Sequence, residues 1–345
     1  MLTRPFDPGN TTEQETLLTL ALAQEARLQA RMPGLLASPM PEAITTQLME
    51  AAHLLVVEDA SGQVRGAVQP AVWHVKRGSM LRAFVAGCNG VAQQLILPDP
   101  QESDASATME TLLQALEDFW RHQDTDADLL RWPAHDTWFV PLLAGRDFLL
   151  DSICATRSLE PFFAVPPAVS AGLHLHFRTA QPSDESALLR LFHEELLFHE
   201  RSTPFVRSSP AVLQAFGRKL ERLWKGETFE DGAPLIVIAE QGDDVIAMAE
   251  NTLATFTADD EPGFTPPGTY WCIDNVSVLE PFHGQGIGRV LLQTIESMRL
   301  TLGLDLAGYV LWYNPDNTTA AQFWSRRGFL PVWTTYQRRK VWEEA

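Results

Sequence analysis

The sequence predicts two copies of one α/β fold joined in tandem. Three observations carry this. The 345 residues suit two domains. Runs rich in β-branched and aromatic residues alternate with helical apolar patterns in the same order in both halves. The halves also keep one register: Leu54 matches Leu235, Val64 Val245, Pro100 Pro281, Asp136 Asn317 and Phe148 Phe329, each pair 181 positions apart (317 − 136 = 181). The first strands pair Arg4 with Arg178, so the halves differ by only seven residues before that register begins (181 − 174 = 7).

In the first half, Leu2–Asp7 reads as a strand, and Thr11–Glu15 as a capped start to a helix patterned over Leu17–Gln29. Met32-Pro33-Gly34 and Pro39-Met40-Pro41 read as breaks. His53–Asp59 and Val64–Val75 are strands about a turn at Ser61–Gln63, and Ala92–Leu97 is a third. Met109–Phe119 follows as a helix, Leu129–Trp132 as a strand and Thr137–Leu143 as a short helix. Small, uncharged and Pro-rich, 164–172 is the expected linker between domains at 1–163 and 173–345. The second half repeats the order. Phe177-Arg178 starts a strand, Ser183–Glu185 caps a helix running to Glu200, and Leu235–Glu240 and Val245–Phe256 form a hairpin. Trp271–Leu279 is the next strand, followed by a helix, a strand over Gly308–Tyr313, a helix over Thr318–Arg327, and closing strands reaching Trp342.

Composition excludes several classes. Apolar residues make up 45% and charged residues 20%, as in globular proteins. A formal charge of −18 argues against nucleic acid and anionic membranes as partners and suits a cationic one. Cys88, Cys154 and Cys272 are odd in number and widely spaced, which suggests neither a disulfide framework nor a metal site. Without a signal pattern or a membrane-length apolar run, the expected location is the cytoplasm.

The informative stretch is Val278–Leu292, where a strand end passes through Gly284, Gly286 and Gly288 into a helix. Such a turn lets backbone N–H groups approach an oxyanion, with the helix dipole adding partial positive charge. Neither the P-loop nor the dinucleotide spacing is met. Positions 103, 105 and 107 of the first half are Ser, Ala and Ala, beside Glu102 and Asp104, so that copy is expected to have lost anion binding.

The stretch resembles the pyrophosphate loop of the GNAT (N-acetyltransferase) superfamily, V-x-x-x-x-R/Q-x-x-G-x-G/A. Val278, Gly286 and Gly288 match, and His283 stands at the Arg/Gln position. Asn317-x-x-Ala320-x-x-Phe323-Trp324-x-x-x-Gly328-Phe329 is similar to the second family motif. The resemblance covers 174–342 and implies a mixed, mostly antiparallel sheet flanked by helices in each copy. It also implies acetyl-CoA or another acyl-CoA as co-substrate and transfer of the acyl group to a small-molecule amine.

By that resemblance Gly284, Gln285, Gly286, Ile287, Gly288 and Arg289 hold the pyrophosphate, with Asn317, Ala320 and Trp324 as further cofactor-binding positions. His283 offers only a part-time charge and no bidentate fork, which Arg289 would compensate. A backbone N–H at Val276 or Val278 is implied as the polariser of the thioester carbonyl. Asp274 is the expected general base, with Glu250 and Glu280 as alternatives, because a glutamate occupies the matching place in related polyamine-type acetyltransferases. Strand alternation would put Asp274 on one face with Val276 and Val278. Trp324 replaces the Tyr that often serves as general acid, leaving Tyr313 as the nearest substitute. The acceptor is expected near His193, Phe198, His199, Glu200 and Trp224. The chain would act as a monomer or homodimer. Two alternatives remain: a non-catalytic acyl-CoA-binding or sensor protein, and a mycothiol-synthase-like tandem acetyltransferase.

Overall fold

A computed structural model describes residues 1–34, 36, 41–163, 168–169, 172–229, 232–257 and 265–340. Most of the expected linker, and the end of the closing strand at 341–342, lie outside the described residues.

The first half runs β1 (Leu2–Pro5), α1 (Thr11–Arg31), α2 (Pro41–Glu50), β2 (Leu55–Glu58), β3 (Val64–His74), β4 (Cys88–Ile96), α3 (Ala105–His122), β5 (Ala127–Pro133), α4 (Val140–Ala144) and β6 (Leu149–Arg157). The second runs β7 (Leu175–Thr179), α5 (Glu185–Glu200), α6 (Pro210–Trp224), β8 (Leu235–Gln241), β9 (Asp244–Phe256), β10 (Gly268–Val278), α7 (Ile287–Leu302), β11 (Gly308–Tyr313), α8 (Thr318–Ser325) and β12 (Leu330–Arg339). Local chemistry sets the helix starts. Asn10 caps α1 by accepting from the Glu13 N–H at 3.2 Å, and Ser209 caps α6 by accepting from Val212 at 3.3 Å. Pro41, expected to break the chain, is instead the first residue of α2, where its missing N–H has no helical partner to lose.

All twelve strands form one sheet, in the order β1-β2-β3-β4-β5-β12-β6-β11-β10-β9-β8-β7. Only β4–β5 and β10–β11 pair in parallel; the other neighbours are antiparallel. The last strand of each half sits in the other half. β6 lies against β11, β12 lies against β5, and the two exchanged strands pair at the centre. The exchange obeys the sequence register. Arg157 faces Tyr309 and Arg338 faces Asp128 (338 − 157 = 181; 309 − 128 = 181), while Thr334 faces Ile153, its own counterpart (334 − 153 = 181). A pseudo-twofold axis therefore passes between β6 and β12.

The cores are shared accordingly. One joins Trp120, Trp132 and Phe139 of the first half to Cys272, Val310 and Tyr336 of the second. Another sets Ala155 and Phe162 among Trp271, Leu291, Tyr309 and Phe329. In the first copy the old loop is closed by its own side chains: Arg65 binds Glu102 and, at 2.7 Å, Asp104, whose carboxyl it holds below the usual range.

Candidate active site

A cleft of about 1660 Å³ opens across the centre of the sheet, lined by the glycine turn, β10, β11, α5, α8 and the exchanged strands. Its position follows from strand pairing. β10 stays paired with β9 as far as Val278, but its parallel pairing with β11 ends at Ile273–Leu311. Beyond that point the edge of 274–278 facing β11 has no strand beside it among the described residues, and a linear group can lie along its unpaired polar atoms.

At the mouth of this opening, Gly284 and Gly286 adopt φ of +75° and +87°, and Gly286 is the left-handed N-cap of α7. A Cβ on Gly286 would stand 2.8 Å from the Ala168 carbonyl oxygen. His283 turns back to the strand, its Nε2 donating to the Val278 carbonyl at 2.6 Å, and its ring meets Phe198 edge-on at 5.9 Å. It fastens the turn and spends one ring nitrogen doing so. Positive charge comes instead from Arg289, Arg326 and Arg327. Burial, and then the charges of Arg289 and Arg326, push the Arg327 pKa down, so the three guanidinium groups crowd one another. Arg327 rests over Phe163 and Phe323, at 4.9 and 5.0 Å. Sequence reasoning missed Arg326 and Arg327, although both lie inside the second motif, between Trp324 and Gly328.

Asn317 lines the cleft, but its side chain caps α8 by accepting from the Ala320 N–H at 3.1 Å. Trp324 is 8% exposed and wedged between Phe323 and Phe329, so it is a core residue with only an edge on the cleft.

A bulge corrects the expected alternation of β10. Ile273 faces Asn251 and Asn275 faces Glu250, leaving Asp274 as the extra residue. Val276 and Val278 pack with Ile273, whereas Asp274 bonds to Thr252 Oγ1 at 2.7 Å and to Cys272 Sγ at 3.2 Å on the other face. The carboxylate is exposed, but only within the cleft. Burial between the cleft walls, and then the charge of Glu250, raise its pKa to about 6. Glu250 itself is wholly buried and bound to Lys219 and Asn275. Burial lowers the Lys219 pKa, but Glu250 and Asp274 outweigh it and hold the ammonium charged.

Tyr313, at the end of β11, belongs to the opposite face and packs against the core containing Ile273. Burial raises its pKa. Of the expected acceptor residues, Phe198 and His199 line the cleft, with Glu194 and Glu195. Glu200 instead accepts from the Ser208 N–H, and the Trp224 indole donates to Glu185 at 3.1 Å; neither they nor His193 line it. Among the described residues no cluster of three or more metal-ligating side chains occurs, and no helix is long and apolar enough to cross a membrane.

Comparison with known proteins agrees with the fold. The acetyltransferase (GNAT) family model matches residues 194–329. A GCN5-related N-acetyltransferase from Sphaerobacter thermophilus superposes with a TM-score of 0.53 at 14% identity, covering 98% of this chain and 95% of its own. A tandem GNAT protein from the clavulanic acid biosynthesis pathway aligns at a TM-score of 0.45 and 15% identity, over 99% of both chains. A GNAT-family acetyltransferase from Colwellia psychrerythraea gives 0.41 at 12%, over 98% of both. A search of curated protein sequences finds no match. The chain is a tandem GNAT-fold protein, and its second half, through residues 194–329, is what the acetyltransferase (GNAT) family model matches.

Proposed function

We propose that the second half is an acyl-CoA-dependent N-acyltransferase acting on a small amine. The observation that carries this reading is the bulge at Asp274 beside the opened edge of β10. A poised carboxylate stands on one face of the strand, and an anion-binding turn closes the end of the same opening. The residues present fit a CoA thioester. Gly284, with open space about it, leaves room for phosphate oxygens beside the N-terminus of α7, and Arg289, Arg326 and Arg327 supply the charge for its phosphates. Val276 and Val278 border the open edge, where a backbone N–H can polarise the thioester carbonyl.

Asp274 then draws in the ammonium and accepts its proton. The freed amine nitrogen forms the new bond to the carbonyl carbon as the C–S bond breaks, the electron pair leaves on sulfur, and the nitrogen sheds a second proton that balances the one the thiolate takes up. A thiol pKa near 8.5 makes the thiolate a tolerable leaving group. Tyr313, on the cofactor face, is the nearest proton donor for it. The roles of Asp274, Glu250 and Tyr313, like the division into domains at 1–163 and 173–345, are part of this proposal.

The test is turnover of acetyl-CoA with a panel of primary amines, followed by thiol release. Acylation of at least one amine, lost on Asp274→Asn with acetyl-CoA affinity retained, is the expected result. Binding of acetyl-CoA with no transfer to any amine would favour the non-catalytic acyl-CoA-binding reading. His283 and Trp324, which depart from the family pattern, do not favour that reading, since one fastens the turn and the other fills the core.

A further inference from the structure

The cleft runs well past the reacting centre. From Asp274 on β10 its floor crosses β11, β6 and β12 to Arg131 on β5, so the first half and its exchanged strand build the far end. Four strand spacings of about 4.8 Å separate the two residues, roughly 19 Å. The floor between them is aromatic: Trp312 and Trp333 meet edge-on at 6.3 Å.

Arg131 is a guanidinium without a polar partner. Among the described residues no carboxylate, carbonyl or hydroxyl receives a hydrogen bond from it, and its neighbour is the face of Trp333, 4.9 Å from Cζ. Burial without a counter-charge pulls its pKa down. The strand register sets Thr335 beside it and Ser152 beside Thr335, and both hydroxyl residues line the cleft. The other end of the cleft carries Glu194, Glu195 and Asp274. Among the described residues Asp151, next to Ser152, is the carboxyl near the middle, and burial raises it to about 7, so it stays largely uncharged on the acid side of neutrality. The cleft therefore carries carboxylates, beside the single ammonium of Lys219, where an amine would react, and at its far end a guanidinium that no carboxylate answers among the described residues. A desolvated arginine stacked on an aromatic ring and flanked by hydroxyls is suited to a planar, singly charged anion. A phosphate dianion would call for more than one cation.

We propose that the acceptor is an elongated amine with an apolar middle and a terminal carboxylate, and that Arg131 of the first half grips the carboxylate. This rests on the acyltransferase reading for the placement of its amine end. A tetrapeptide reaches ~14 Å when extended, and the two side chains close the remaining distance. The first half is then part of the substrate site, which no single GNAT copy of this chain could provide.

Calorimetry on the whole chain tests this without relying on turnover. The probes are Gly-Phe-Phe-Gly as free acid, its C-terminal amide, and the same peptide ended by a phosphoethanolamine amide. The free acid is expected to bind about tenfold or more tightly than the amide, the discrimination of a lost charge-assisted pair. That preference should vanish in Arg131→Gln and persist in part in Arg131→Lys, with acetyl-CoA binding unchanged in both. Equal binding of acid and amide, a preference surviving in Arg131→Gln, or tighter binding of the phosphate-ended peptide would overturn the proposal. Acid-selective binding that depends on Arg131, with no acetylation of the bound peptide, would uphold the anion site while removing the acyltransferase reading.

Discussion

Asp274 owes its place to one extra residue in a strand. Without the bulge, its side chain and that of Val276 would share the face toward α7; with it, the carboxylate turns to Thr252 and the cleft. The pKa near 6 has two consequences of known sign. As a base Asp274 must be ionised, so kcat/KM should rise with pH through about 6, and Asp274→Asn should lose roughly 10²–10⁴ in rate together with that limb of the profile. A full-rate Asn variant across the pH range would move the role to another residue. For stability, the folded value lies above the ordinary carboxylate value near 3.9. The folded protein keeps a proton that the unfolded chain releases between about pH 4 and 6, so stability falls over that window as pH rises. Asp274→Asn should therefore melt slightly higher than the parent at pH 7, by a small margin because cleft water screens the charge. Glu250 matters through its ion pair. It is fully buried and pairs with Lys219, which reaches the cleft, and Glu250→Ala would leave that ammonium and the Asn275 amide without this partner at a cost of about 1–3 kcal/mol. Denaturant unfolding should show that loss; an unchanged midpoint would mean that the pair is not formed.

At the scale of elements, the turn before α7 and the exchanged strand β6 decide most. Gly286 combines a left-handed φ with the Ala168 carbonyl at 2.8 Å from any Cβ. Gly286→Glu should therefore abolish acetyl-CoA binding through strain, clash and charge together. Calorimetry on the parent should count one acetyl-CoA site per chain, because Arg65 ties down Glu102 and Asp104 in the corresponding loop of the first half. Two equivalent sites per chain would contradict this.

For the whole molecule, strand exchange makes the halves interdependent. Residues 172–345 alone lack β5 and β6, and with them one partner of β11 and both partners of β12. Three strand edges would be bare, and Ala155 and Phe162 would leave the core they share with Trp271 and Tyr309. That fragment is expected to aggregate, or to pair with a second copy by swapping strands, and co-expression with residues 1–163 should restore a soluble complex. A well-behaved monomeric fragment with full activity would refute the interdependence.

The duplication, the glycine turn, the second motif and the strand carrying Asp274 were legible in the sequence, because each depends on local spacing: a period, a φ that glycine allows, a cap at Asn317. The 181-residue register even survives as the pairing of Thr334 with Ile153. Three things were not legible. The bulge at Asp274 depends on which residues of β9 lie opposite, and the alternation rule alone predicted the wrong face. The end of α8 reads only as a polar helix end until folding gathers Arg326 and Arg327 beside Arg289. The exchange of β6 and β12 leaves no local trace, since a strand presents the same hydrogen-bonding edge to its own half and to the other. Only the packed sheet chooses between them, and that choice brings Arg131 of the first half into the cleft of the second.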